Sequence, residues 1–128
     1  MSAARKISEA ENILVKLKSS PDKSEFERFI RTIHDVFLHL LDEYNVKFGL
    51  KIDRIGLEKF KTIAKRTGKI EAINFLIWYE KEYKKLRNDP EIGQLLEREF
   101  TIPKDIVSAS IRLLDETRKI AYYAYENF

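Results

Sequence analysis

The stretch SEFERFIRTIHDVFLHLLDEYNVKFG, residues 24–49, decides the fold. Phe26, Phe29, Ile30, Ile33, Phe37, Leu40, Leu41 and Tyr44 recur at three- and four-residue spacing. That is the period of one apolar face of an α-helix, not the alternation of a half-buried strand. Ser24 followed by Glu27 reads as a capping box, in which the hydroxyl and the carboxylate satisfy free amides at the start of the helix. Gly49 supplies the stop, because glycine enters the left-handed conformation that ends helices without steric cost. The pattern predicts one long amphipathic helix near 24–48. A stripe of that length needs other helices to cover it, so the expected fold is an all-α bundle.

Working outward, a first helix is expected from about Ser8 to Lys18, with Ile13, Leu14 and Leu17 on one face and a turn over Ser19, Ser20, Pro21 and Asp22. Beyond Gly49, a polar connector over residues 51–55 leads to a shorter helix carrying Leu57, Phe60, Ile63 and Ala64, which Gly68 ends. Residues 72–79 are apolar around nearly the whole circumference, with only Asn74 interrupting, which suits a central helix that turns charged toward Arg87. Asp89, Pro90 and Glu91 form a second start signal for a short helix burying Ile92, Leu95 and Leu96. Thr101 and Pro103 announce a long C-terminal helix near 103–126. There Ile106, Leu113 and Ile120, and also Val107, Leu114 and Ala121, repeat at seven residues around the small Ser110 and Thr117. That stripe is wide enough to face both its own bundle and a second subunit, so a homodimer is expected. The whole reading is a single domain over 1–128 with about five helices, in keeping with only four glycines and three prolines.

Composition sets outer bounds. At 128 residues the chain can bury a core without metal or disulfide support. The absence of cysteine excludes thiol catalysis, disulfides, Cys-ligated zinc and iron–sulfur clusters. Hydrophobic residues make up 44% and charged residues 35%, too apolar for a disordered chain and too charged for a membrane-embedded one. Heavy Lys, Glu, Arg and Ile use with a single glutamine, Gln94, resembles proteins from hot environments. No apolar run approaches a membrane span and none of signal-peptide length follows Met1–Lys6, so the expected address is cytoplasmic, with no membrane partner.

Both histidines fall on the long helix. His39 lies on its charged side, four residues after Asp35 and four before Glu43, which predicts ordinary surface pairing. His34 sits at the edge of the apolar stripe beside Ile30, Leu38 and Leu41. There an imidazole either makes one structural hydrogen bond or acts as an acid or base. Two histidines five residues apart diverge on a helix, so no metal site and no cofactor is expected. Glu80 and Glu82 diverge likewise, which does not suit glycosidase chemistry. Phosphate loops and nucleophile elbows are absent.

With Arg28 six residues before His34, the stretch Arg28-Phe29-Ile30-Arg31-Thr32-Ile33-His34 resembles the Arg-x4–6-His motif of the HEPN superfamily. These are small, often dimeric helical bundles, many of them metal-independent ribonucleases. The resemblance implies a site at a dimer interface where His34 acts on the ribose 2′-hydroxyl and Arg28 stabilises the phosphate, a division of labour that acid–base and electrostatic catalysis support. On an ideal helix the two side chains point roughly 120° apart. Arg87-Asn88 matches the start of the commoner form of the motif, but Ile92 stands where its histidine belongs. That alignment implies a non-catalytic relative.

The strongest binding feature is a basic run, Lys59, Lys61, Lys65, Arg66 and Lys69, with no acid between Glu58 and Glu71. Rows of cationic side chains are what phosphate contacts require, so the run is either an RNA-binding face or a solvated helix face whose cations pair with other helices. A second group, Lys81, Lys84, Lys85 and Arg87, is interleaved with Glu80 and Glu82. Aromatics gather at Trp78, Tyr79 and Tyr83 and again at Tyr122, Tyr123, Tyr125 and Phe128, where core or interface packing is the expected use. The resulting expectation is a helical-bundle binding or assembly module associated with RNA. The alternative is a metal-independent ribonuclease using Arg28 and His34.

Overall fold

A computed structural model describes residues 2–97 and 105–128 of the chain. Among them are six helices and no strand: α1 (Ala3–Ser19), α2 (Lys23–Phe48), α3 (Leu57–Thr67), α4 (Ile70–Asn88), α5 (Pro90–Leu96) and α6 (Ile106–Asn127). The all-α bundle is as the apolar periodicity predicts. Each of the six matches a segment marked in the sequence, α5 being the short helix expected after Asp89-Pro90-Glu91, so the count of about five is one too few.

Helix α2 is the hub, in contact with each of the other five helices. Phe29, Ile30, Ile33, Val36, Phe37, Leu40, Leu41 and Tyr44 on it are buried, while Phe26 is only partly covered. Its start differs from the capping-box expectation. Asp22, not Ser24, is the cap, and its carboxylate accepts from the Glu25 amide at 3.3 Å. Asp22 lies in extended backbone just outside the helix, whereas Ser24 is already inside the first turn and cannot cap it. The other end is as expected: Gly49 takes φ +64°, and its N–H bonds back to the carbonyls of Asn45 and Val46.

Helix α1 begins five residues earlier than expected. Ser2 caps it through the Arg5 amide, and Ala3, Ile7 and Ala10 continue the buried face toward the amino end. Its first turn is fastened to α2, since the Ala3 amide donates to Glu43 Oε1 at 3.0 Å. The connector over residues 51–55 is not simply polar. Leu50 and Ile52 are buried, and the Asn45 side chain holds both the N–H and the C=O of Ile52, each at 3.1 Å.

One aromatic cluster centres on fully buried Phe75, whose ring lies 4.3 Å from Tyr44, 5.6 Å from Phe60 and 5.4 Å from Phe128. The Tyr44 hydroxyl donates to the Ala124 carbonyl at 2.5 Å, tying α2 to α6. Burial, with the Glu43 carboxylate second, pushes the pKa of that phenol up to about 12. Ser110 and Thr117 are fully buried among the small residues Ala109, Ala121 and Ala124, so this part of the α6 stripe faces its own bundle. The expected start signals Thr101 and Pro103 lie outside the described residues. Asp105 caps α6, accepting from the Ser108 amide.

Candidate nucleic-acid interface

The basic run is built on α3. Gly56 stands in extended backbone at its amino end and Glu58 in its first turn, while Lys65 and Arg66 in the last turn favour the negative end of the helix dipole. Phe60 and Ala64 point into the core, which turns Lys59, Thr62, Lys65 and Arg66 outward. Gly68 stops the helix at φ +67°, and α4 starts two residues later. The two helices therefore form a hairpin.

Within this hairpin the predicted cations separate. Lys59, Lys65 and Arg66 are exposed, and among the described residues no carboxylate pairs with them. Lys61 is half covered and pairs with Glu80 on α4 at 3.4 Å. Lys69 reaches back and donates to the Phe48 carbonyl at 2.6 Å, satisfying an orphan group at the end of α2. It is thus engaged in the fold rather than simply displayed.

Lys81, Lys84 and Arg87 of the second basic group, interrupted by acids in the sequence, line a groove that Lys61 alone of the first run also borders. That groove, a cavity of about 740 Å³, is lined by Leu57 and Lys61 from α3 and by Ile77, Lys81, Lys84 and Arg87 from α4, with Glu80 and Glu97 among the remaining lining residues. Lys81 and Lys84 are exposed and have no ion pair among the described residues. Lys85 pairs with Glu82 at 3.4 Å, and Arg87 pairs with Glu97 at 2.5 Å while its guanidinium lies over the Tyr83 ring at 5.9 Å. The Glu97 hydrogen bond raises the Arg87 pKa further, and burial raises that of the Tyr83 phenol.

Charge is segregated accordingly. Residues 57–88 hold nine Lys and Arg against four Glu, a net charge of +5, whereas the whole chain carries +3. The remaining residues therefore sum to −2. A small molecular net charge hides a basic hairpin, and a local excess of one sign raises the field around that part of the molecule.

Arg28 and His34 turn to different partners. Arg28 is exposed and pairs with Glu25 at 3.4 Å, one turn back. His34 is half-buried, and its Nε2 lies 2.8 Å from the Leu96 carbonyl at the end of α5. A carbonyl only accepts, so this contact places a proton on Nε2 and ties α2 to α5. His39 does not take the pairing expected of it. Asp35 faces Lys6 at 3.8 Å, and Glu43 holds the start of α1. Among the described residues no group of three or more His, Asp or Glu is placed to hold a metal ion, and no helix is long and apolar enough to cross a membrane.

One ionic cluster escaped the sequence reading. Arg112 on α6 contacts Asp89 and Glu91 at the start of α5, both at 2.5 Å. Asp89 also accepts from the Glu91 and Ile92 amides, and the Ile92 bond is the main cause that lowers its pKa. The start signal at 89–91 was visible in the sequence, but its cation lies 21 to 23 residues away on another helix.

Comparison with protein-family models, with curated proteins and with solved structures found no match for this chain.

Proposed function

We propose that the chain is a helical-bundle binding module that engages RNA through the basic face of the α3–α4 hairpin. The observation that carries the reading is the charge segregation: +5 over residues 57–88 in a chain of +3. Five of the cations, Lys59, Lys65, Arg66, Lys81 and Lys84, are exposed without an ion pair among the described residues. Polyphosphate chains bind such surfaces by releasing counterions, which needs clustered cations but no pocket. Binding is favoured over cleavage by Arg28 and His34 because those side chains engage Glu25 and the Leu96 carbonyl respectively.

Fluorescence anisotropy with labelled RNA at low salt tests the proposal. Lys81→Glu with Lys84→Glu is expected to weaken binding strongly, while Arg5→Glu with Arg31→Glu, an equal change of net charge elsewhere, changes it little. Equal losses in both double variants would reduce the interaction to net charge and overturn the assignment of the face. Self-association through α6 is the second element of the reading. Tyr122, Tyr123 and Tyr125 are 49%, 47% and 40% exposed there, and tyrosine is enriched in protein interfaces. Sedimentation equilibrium is expected to show dimer in the high micromolar range, and monomer throughout that range would remove this element.

A further inference from the structure

We propose that the hairpin recognises the phosphodiester backbone of RNA and not its bases, an inference that rests on the RNA-binding reading above. Sequence-selective recognition of RNA depends largely on bases splayed onto uncovered aromatic faces or guanidinium planes. Residues 57–88 contain five aromatic residues, and the protein uses each ring itself. Phe60, Phe75 and Tyr79 are buried. The Trp78 ring is stacked on Tyr123 at 5.1 Å with 19° between planes, and it also packs against Phe75 and Phe128. Tyr83 lies parallel to Tyr79 at 6.2 Å, meets Phe37 edge-on at 5.2 Å, and carries the Arg87 guanidinium over its ring.

What the hairpin presents outward is therefore of another chemical kind. Four of the five unpaired cations, Lys59, Lys65, Lys81 and Lys84, end in ammonium groups, which act as compact point charges toward phosphate and have no planar fork to match a base edge. The fifth, Arg66, is a guanidinium at the end of α3 and is not among the residues that line the groove with Lys81 and Lys84. The apolar residues beside them, Ile70 and Ile77, are 72% and 62% exposed, but they are aliphatic and offer no base-directed hydrogen bond. Asn74 and Asn88 add amides to the outer side of α4. With the rings of α4 committed inward, neither is joined by a platform that would hold a base in plane. Apart from the single Arg66 guanidinium, the surface thus carries charge for the backbone without an uncovered ring on which to read sequence.

The experiment compares the affinity of the full chain at low salt for five probes of equal length. These are oligouridine, oligoadenosine, a base-free deoxyribose-phosphate oligomer and two RNA duplexes of unrelated sequence. Affinities are expected to be alike for the two homopolymers and for the two duplexes, and the base-free oligomer is expected to retain the affinity of the single strands. One stacked base would instead change affinity roughly 5- to 150-fold. The ratio of duplex to single-strand affinity shows which form supplies the backbone, and either form bound without base preference supports the proposal. Trp78 is the single tryptophan, and its emission is expected to stay unchanged on binding because Tyr123 covers its ring. A homopolymer preference above about fivefold, loss of binding to the base-free oligomer, or quenching of Trp78 would overturn the inference while leaving RNA binding in place. No binding to any probe would overturn the reading beneath it.

Discussion

Gly93→Ala tests the tightest corner of the bundle. Asp89 both ends α4 and caps α5, so the chain turns between the two helices without a linker. This brings buried Gly93 so close to α4 that a Cβ there would stand 2.4 Å from the Arg87 carbonyl oxygen and 3.3 Å from its carbon. Two effects oppose each other. Alanine is favoured over glycine inside a helix by about 1 kcal/mol. Overpacking costs typically about 1–3 kcal/mol, and the upper end applies because the atom that must yield is backbone, not the tip of a flexible side chain. The clash wins, and the net destabilisation is about 2 kcal/mol. For a chain of this length that corresponds to a fall in Tm of about 7 °C. Urea and thermal denaturation followed by far-ultraviolet circular dichroism read the effect directly. Gly56→Ser is the control, since a Cβ at Gly56 meets nothing within 4 Å and serine supplies the side-chain cap that α3 lacks. A Gly93→Ala protein as stable as the parent would refute the close approach of α5 to the end of α4.

Other perturbations probe separate joints. Asn45→Ala removes the side chain that satisfies both backbone groups of buried Ile52, so a loss of about 2–4 kcal/mol is expected in urea unfolding, with faster amide exchange at Ile52. A loss under about 0.5 kcal/mol would mean that the connector is held by other contacts. Asp89 has a folded pKa below its unfolded value, so its stabilising contribution is complete above about pH 4 and is lost as the pH falls through the folded value. The stability difference between the parent and Asp89→Asn is therefore expected to be constant from pH 7 to 5 and to shrink below about pH 4. A difference independent of pH would show that the carboxylate charge is not what holds the corner.

Local periodicity made most of the fold legible. The face of α2 was readable because large apolar residues carry its period and because Gly49 and the Asp89-Pro90 pair mark ends through backbone chemistry that acts within a few residues. The start of α1 was not readable because Ala3 and Ala10 bury small side chains, a weak hydrophobic signal, and because its fastening to Glu43 spans 40 residues. The same limit governs the candidate site. The outward direction of Lys65 and Arg66 is of the legible kind, since the core face of α3 follows from Phe60 and Ala64 within the same helix. The hydrogen bond of Lys69 was not legible because its partner, the Phe48 carbonyl, lies 21 residues back and becomes a neighbour only when α3 folds over the end of α2. The interleaved acids hid Lys81 and Lys84. Side-chain direction on α4 sends Glu80 to Lys61 and Glu82 to Lys85 and leaves the two lysines uncompensated, which no linear charge count reveals. The contact between His34 and the Leu96 carbonyl, 62 residues apart, was likewise out of reach of local spacing.

The central claim is that the α3–α4 hairpin holds RNA through its clustered charges, and the salt dependence of affinity tests it most directly. With five exposed cations and a contribution of about 0.7 per contact for single strands, the logarithm of affinity is expected to fall with the logarithm of salt at a slope of about −3.5. In Lys81→Ala with Lys84→Ala the slope is expected to flatten by about 1.4. A slope near zero, or one that the double substitution leaves unchanged, would contradict the account.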